Sequence, residues 1–140
     1  MEELAAEKLT DFFERRSVDG VISAYLFGSR AEGRAHRESD VDVGILLDRN
    51  VYPTTRERFE TRLLLIGELG SYLSRPDVDL VVLNDVSPEL GARIITDGIR
   101  VFCADKNLDH AFVRDVQLRA ADLKPFLERM RRIKLEAMKR

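Results

Sequence analysis

Residues 21–47 read VISAYLFGSRAEGRAHRESDVDVGILL, and this stretch decides the fold. Val21–Phe27 is rich in β-branched and aromatic residues, which predicts a buried strand. Gly28-Ser29 ends it, and 30–34 has the length of one helical turn. Residues 40–47 predict a second strand with Val41, Val43, Ile45 and Leu47 on one face. Asp40 and Asp42 fall on the opposite face, because side chains alternate along a strand. Their α-carbons are then about 6.5–7 Å apart, and both carboxylates point the same way.

Each piece has a chemistry. Gly28 has no β-carbon, so a phosphate can come up to the backbone. Ser29 offers a hydroxyl and an N–H where a helical turn begins, a place that favours anions. Carboxylate oxygens suit Mg²⁺, which keeps waters and substrate phosphates in its other positions. The two halves together describe a triphosphate held on one side and divalent metal on the other. A third carboxylate is available on the next apolar run, DVDLVVL at 77–83. Asp79 alone interrupts the apolar residues there, a costly placement for a carboxylate that binds nothing. Asp77, in the turn after Pro76, is the fallback. Asp85 lies beyond the run, where it can cap a helix.

Gly28-Ser29, ten residues, then Asp40-x-Asp42 matches the GS-x10-D-x-D signature of the polymerase β-like nucleotidyltransferase superfamily. The fuller run FGSRAEGRAHRESDVDVGIL resembles its minimal nucleotidyltransferase (MNT) branch, and ADLKPFLERMRRI resembles the tail of MNT antitoxins. The match is close over 21–47 and looser over 78–83. The resemblance implies an α/β fold of the polymerase β-like type, a mixed sheet of about four strands flanked by helices, with a C-terminal helical extension. It implies a nucleotidyltransferase domain over 1–104 and an extension over 105–140 packed on it. It also implies ATP as substrate, with two Mg²⁺ on Asp40, Asp42 and Asp79. Gly28, Ser29 and Arg30 would bind the nucleotide, and the three aspartates would be catalytic. The acceptor it implies is a tyrosine hydroxyl on a cognate HEPN ribonuclease toxin, silenced by adenylylation. Two alternatives stand beside it: an antitoxin that neutralises by binding alone, and a transferase with a small acceptor such as an aminoglycoside.

Other phosphate motifs are missing. Gly28 and Gly33 have the G-x4-G spacing of a P-loop, but Arg34-Ala35 follows where Lys-Ser/Thr is required, and no G-x-G-x-x-G occurs. His36 and His110 are the only histidines, so zinc is not expected. The net charge of −2 supplies no basic field, so nucleic acid is not expected as a direct ligand. The single cysteine, Cys103, cannot form an intrachain disulfide and suits a reducing compartment. No apolar run reaches the roughly 20 residues of a membrane span, and the acidic MEELAAEKL is unlike a signal peptide. A cytoplasmic protein without membrane contact is the expectation.

Around this centre, residues 2–16 predict a helix with Ala5, Leu9, Phe12, Phe13 and Arg16 on one stripe. Residues 54–74 predict another, with Phe59, Leu63, Ile66, Gly70 and Leu73 facing inward and Arg56, Arg58 and Arg62 solvated. A third strand over 78–83 follows. Next comes a helix from Ser87-Pro88 with Leu90, Ile94 and Ile95 inward, then a fourth strand, Ile99–Cys103. From Asn107 the chain is helical with a stripe of Phe112, Val116, Leu123, Phe126, Met130 and Ile133. Pro125 predicts a kink or two helices there. The basic end of this segment is either a solvated face or a surface for a partner.

Overall fold

A computed structural model describes residues 2–16, 19–28 and 40–138 of the 140-residue chain. Helix α1 (Glu2–Arg16) leads into β1 (Val21–Phe27) and β2 (Val41–Leu47). Helix α2 (Thr55–Leu73), β3 (Val78–Val82), a 3₁₀ turn (Leu83–Asp85), α3 (Pro88–Asp97), β4 (Ile99–Cys103) and α4 (Lys106–Met138) complete the order. The four strands form one mixed sheet in the order β3-β2-β1-β4. β1 runs antiparallel to β2 and β4, and β2 runs parallel to β3.

Alternation along the strands sorts the core into two layers. Val41, Val43, Ile45 and Leu47 share one face with Leu26, Val78 and Leu80, and are covered by Leu9, Phe12 and Phe13 of α1 and Leu65 and Leu69 of α2. Ile22, Tyr25 and Leu46 face the other way, against Leu83, Ile94 of α3 and Phe112 of α4. Asp42 and Asp79 are on this second face, as the alternation requires.

Local chemistry sets the helix ends. The Thr54 hydroxyl accepts from Glu57 N–H at 3.1 Å, and Ser87 accepts from Leu90 N–H at 3.2 Å with Pro88 in the first turn. Asp105 accepts from Leu108 N–H at 3.0 Å at the start of α4.

The expected stripe of α2 holds at Ile66 and Leu73, which pack against the core, and fails nearer the start of the helix. Arg58, Leu65 and Leu69 are buried, whereas Phe59 and Leu63 are half-exposed. Arg56 is solvated, as expected, but Arg58 is only 4% exposed. Its Nε and Nη2 both donate to Asp85 at 2.9 Å, and Nη1 donates to Tyr52 C=O at 2.9 Å. A buried guanidinium survives because the fork is filled. Arg58→Ala is expected to lower the unfolding free energy by about 3 kcal/mol, the cost of breaking a buried pair, read from the urea midpoint. Arg58→Lys is expected to recover little of it, since an ammonium cannot make the two-point bond.

Three further differences concern the second half. Strand three stops at Val82, and Leu83 opens the 3₁₀ turn instead. Leu90 is 37% exposed, so Gly91 and Ile94 make the buried side of α3. Helix α4 runs unbroken through Pro125 rather than splitting in two. Beyond Ala120 all of its described residues are exposed except Leu127.

A buried polar cluster pins the start of α4 to the sheet. Asp109, 1% exposed, accepts from Ser23 Oγ at 2.6 Å, Tyr25 Oη at 2.8 Å and Arg100 Nη1 at 2.9 Å. Burial first, then the Asp109 carboxylate, raises the Tyr25 phenol far above its usual range, so it stays a donor. The sequence showed Ser23 and Tyr25 only as members of an apolar strand.

Candidate active site

The predicted carboxylates gather at one end of the sheet, where β1 finishes and β2 and β3 begin. Asp42 is the second residue of β2. It pairs in register with Phe27 on one side and with Asp79 on the other. Because β2 and β3 are parallel, the in-register carboxylates at 42 and 79 project from the same face. Asp40 immediately precedes β2 and is exposed.

Electrostatics marks Asp42 as the crowded member. It is partly buried, and burial is the largest cause of a raised pKa, followed by the charges of Asp79 and Asp40. Both neighbours act in the direction expected of like charges that share a site. A cation placed among them would reverse that repulsion, and an all-carboxylate donor set suits a hard divalent ion such as Mg²⁺. Among the described residues no group of three His, Cys, Asp or Glu side chains is placed to hold a metal ion by itself, so Asp40, Asp42 and Asp79 do not converge on one point as they stand. The arrangement is an open, acidic sheet end, and it fits an ion that takes its remaining ligands from substrate and water.

Gly28 follows directly on β1 and packs against this carboxylate. Its φ is +77°, a left-handed conformation, and a β-carbon built there would stand 2.4 Å from Asp42 Oδ2. The turn that ends β1 therefore touches the acidic end of β2, and only glycine allows so close an approach. Ser29 and Arg30, the other two predicted nucleotide-binding residues, lie outside the described residues, as does His36.

Asp79 is the better placed of the two candidates for the third carboxylate. Asp77 is taken up by Arg75, whose Nε donates to its Oδ1 at 2.5 Å and whose Nη2 bonds its Oδ2. The Asp77 carbonyl also accepts from Val41 N–H at 3.0 Å, which fixes the entry to β2. The Asp79 side chain is 55% exposed and in register with Asp42. Arg62, expected in solvent, reaches it instead: Nη2 lies 3.6 Å from Asp79 Oδ1, and Nε donates to Leu80 C=O at 2.6 Å. The available signal was spacing, since 58, 62, 65 and 69 follow a helical period on the sheet-facing side.

A four-stranded mixed sheet lies between two helical layers, with a glycine turn set against an acidic strand start. The chain belongs to the polymerase beta nucleotidyltransferase family, whose family model matches residues 7–107. It is 32% identical over 98 residues to the protein adenylyltransferase MntA of Shewanella oneidensis, covering 70% of this chain and 65% of that protein. It is also 32% identical over 65 residues to a spectinomycin 9-adenylyltransferase of Staphylococcus aureus, covering 46% of this chain and 25% of that enzyme. The chain thus spans just under two thirds of one curated relative and a quarter of the other. Among solved structures, a toxin–antitoxin with AMP-PNP superposes with TM-score 0.65 at 25% identity, covering 96% of this chain and 98% of that one. A chain from a complex of tri-AMPylated Shewanella oneidensis HEPN toxin with MNT antitoxin superposes over the full length of both, with TM-score 0.61 and 23% identity. The expected polymerase β-like fold, with its four-stranded mixed sheet and C-terminal helix, is the fold observed.

Proposed function

We propose that this chain is an Mg²⁺-dependent protein adenylyltransferase that acts as an antitoxin. It would transfer AMP from ATP to a tyrosine hydroxyl of a cognate HEPN ribonuclease toxin in the cytoplasm. The observation that carries the reading is the meeting of Gly28 with Asp42, beside Asp79 in register. It joins the glycine that ends β1 to an acidic sheet end within one contact. The relatives that combine this fold with adenylyl transfer supply the reaction class.

In this reading Asp40, Asp42 and Asp79 would hold two Mg²⁺, which would supply charge neutralisation at the transferring phosphate. The turn at Gly28-Ser29, with Arg30, binds the β- and γ-phosphates. The acceptor oxygen forms a bond to the α-phosphorus as the bond from that phosphorus to the β-phosphate oxygen breaks, and pyrophosphate leaves. The acceptor proton passes to water beside the exposed Asp79 carboxylate, which orients it. Positioning and electrostatics account for most of the rate.

Helix α4 offers a surface for the protein acceptor. Leu123, Phe126, Met130 and Ile133 follow a 3-4 spacing along it and are each 40–54% exposed. Such a stripe on a helix that extends past its own domain is suited to a helical partner.

The test is co-expression with the protein encoded beside it, followed by intact-mass measurement of that partner. The expected result is one or more AMP-sized gains that require ATP and divalent metal. A tight complex with an unmodified partner would replace the enzymatic reading with neutralisation by binding alone. AMP transfer to an aminoglycoside, and none to protein, would move the acceptor to small molecules.

A further inference from the structure

Strand β3 lies at the edge of the sheet, with a neighbour only on the β2 side. Helix α2 covers the face of the sheet opposite Asp79, since Leu65 and Leu69 pack with Leu80 and Val82. A side chain on α2 can reach Asp79 only by passing round that edge. Arg62 does so. On the way Nε donates to Leu80 C=O at 2.6 Å, and Nη2 then stands 3.6 Å from Asp79 Oδ1. The guanidinium carbon stands over the Phe59 ring, 6.0 Å from its centre. The guanidinium is thus fixed by a backbone carbonyl before it meets the carboxylate. A surface ion pair between two free side chains lacks that feature and contributes little.

We propose that Arg62 is a positioning residue for the third carboxylate: its charge, fixed at Leu80 C=O and 3.6 Å from Oδ1 of Asp79, draws that oxygen toward the sheet edge and leaves Oδ2 for the divalent cation. This rests on the reading of Asp79 as a metal-holding residue. The physical need is clear from exposure. The Asp79 side chain is 55% exposed, so without Arg62 its carboxylate would sample more orientations, at an entropic cost on each metal-binding event. A planar fork held at its Nε end restricts that sampling.

The experiment uses the full chain, Mn²⁺ as the metal probe and a non-hydrolysable ATP analogue, with bound Mn²⁺ followed by electron paramagnetic resonance. Arg62→Gln is expected to raise the half-saturating Mn²⁺ concentration about tenfold, as loss of an outer partner of a metal ligand does. Arg62→Lys is expected to stay near Arg62→Gln, because it keeps the charge and loses the fork. In AMP transfer, kcat is expected to fall in both variants with KM for ATP little changed. Added to Asp79→Asn, Arg62→Gln is expected to have no further effect. Unfolding midpoints of both Arg62 variants are expected within about 3 °C of the parent.

Several results would overturn the proposal. Tighter Mn²⁺ binding in Arg62→Gln would make the arginine a competitor of the metal. Full recovery by Arg62→Lys would make its role one of charge alone. A large fall in both unfolding midpoints would make it a structural prop. Unchanged Mn²⁺ binding in Asp79→Asn is a separate failure: it removes Asp79 from the metal site whatever Arg62 does.

Discussion

Asp42→Asn is expected to end AMP transfer and, in metal-free buffer, to raise the temperature at which the domain unfolds. The two effects share one cause. The Asp42 carboxylate is partly buried between Phe27 and Asp79, and burial, then Asp79, then Asp40, raises its pKa above the ordinary 3.8. A carboxylate whose folded pKa exceeds its unfolded value contributes its stability below the unfolded value. That contribution is lost as pH rises through the folded value. At neutral pH the ionised Asp42 is therefore a cost to the fold, and a neutral amide of the same shape removes it. The same amide cannot serve as an anionic ligand, so activity is expected to fall by more than about 100-fold, the upper end of what outer-shell losses alone cause. Thermal melts in EDTA and in Mg²⁺ check the account. The parent should gain stability from Mg²⁺ and the variant should gain none. The acid limb of the parent's activity should lie above the range of an ordinary carboxylate, and should move down as Mg²⁺ is raised, because metal and proton compete for the same oxygens. A variant that melts lower than the parent in EDTA, or that still transfers AMP, would remove Asp42 from the centre of the site.

Gly28→Ala is expected to have the next largest effect. The new methyl group would stand 2.4 Å from Asp42 Oδ2, on a backbone with φ +77°. The left-handed backbone alone costs an ordinary residue about 1–2 kcal/mol, and the clash requires either the turn or the carboxylate to move. Either movement separates the turn proposed to bind phosphate from the acidic strand start. Binding of the non-hydrolysable ATP analogue is expected to weaken by about tenfold or more, since displacement of the order of 1 Å at a positioned site costs up to about 100-fold. Gly67→Ala is the control. Gly67 lies within α2 with nothing within 4 Å of its would-be methyl group. Alanine there is expected to stabilise the helix by about 0.5–1 kcal/mol and leave nucleotide binding unchanged. Calorimetric titration and melting of the two variants, side by side, separate a local steric role from a general intolerance of added bulk. Equal nucleotide binding in Gly28→Ala and the parent would dissociate that turn from the phosphates.

Legibility in the sequence followed the strength of the local pattern. Strands β1 and β4 are visible to the residue because apolar and β-branched runs are bounded by Gly20, Gly28, Gly98 and Asp105. The face carrying Asp42 follows from alternation alone. The in-register pairing of Asp42 with Asp79 does not, because strand order is a long-range property that no local window contains. Helix α2 was legible in extent but only partly in facing: Ile66 and Leu73 pack inward as expected, Phe59 and Leu63 do not. Taking Phe59 and Leu63 as inward is the natural choice when arginine is counted as polar, yet the fold turns Arg58 in because Asp85 and the Tyr52 carbonyl satisfy its donors. Arg62 was misread for the same reason. The buried Asp109 cluster was invisible because its partners Ser23, Tyr25 and Arg100 come from strands that pair only after folding. Helix α4 passes Pro125 as one continuous helix, where the sequence reading allows a kink or two helices.

That proline divides α4 in a quieter way. It gives no amide to the carbonyl four residues before it, Ala121, so the two halves are joined by a thinner run of backbone bonds. The first half is anchored through Asp109 and through Val116 seated against Gly91. The second half touches the domain through pairs such as Arg131 with Glu89 at 3.1 Å. Amide protons should therefore exchange slowly up to the proline and progressively faster after it, so that a ligand gripping the distal turns would have to freeze them and forfeit part of its gain as lost motion.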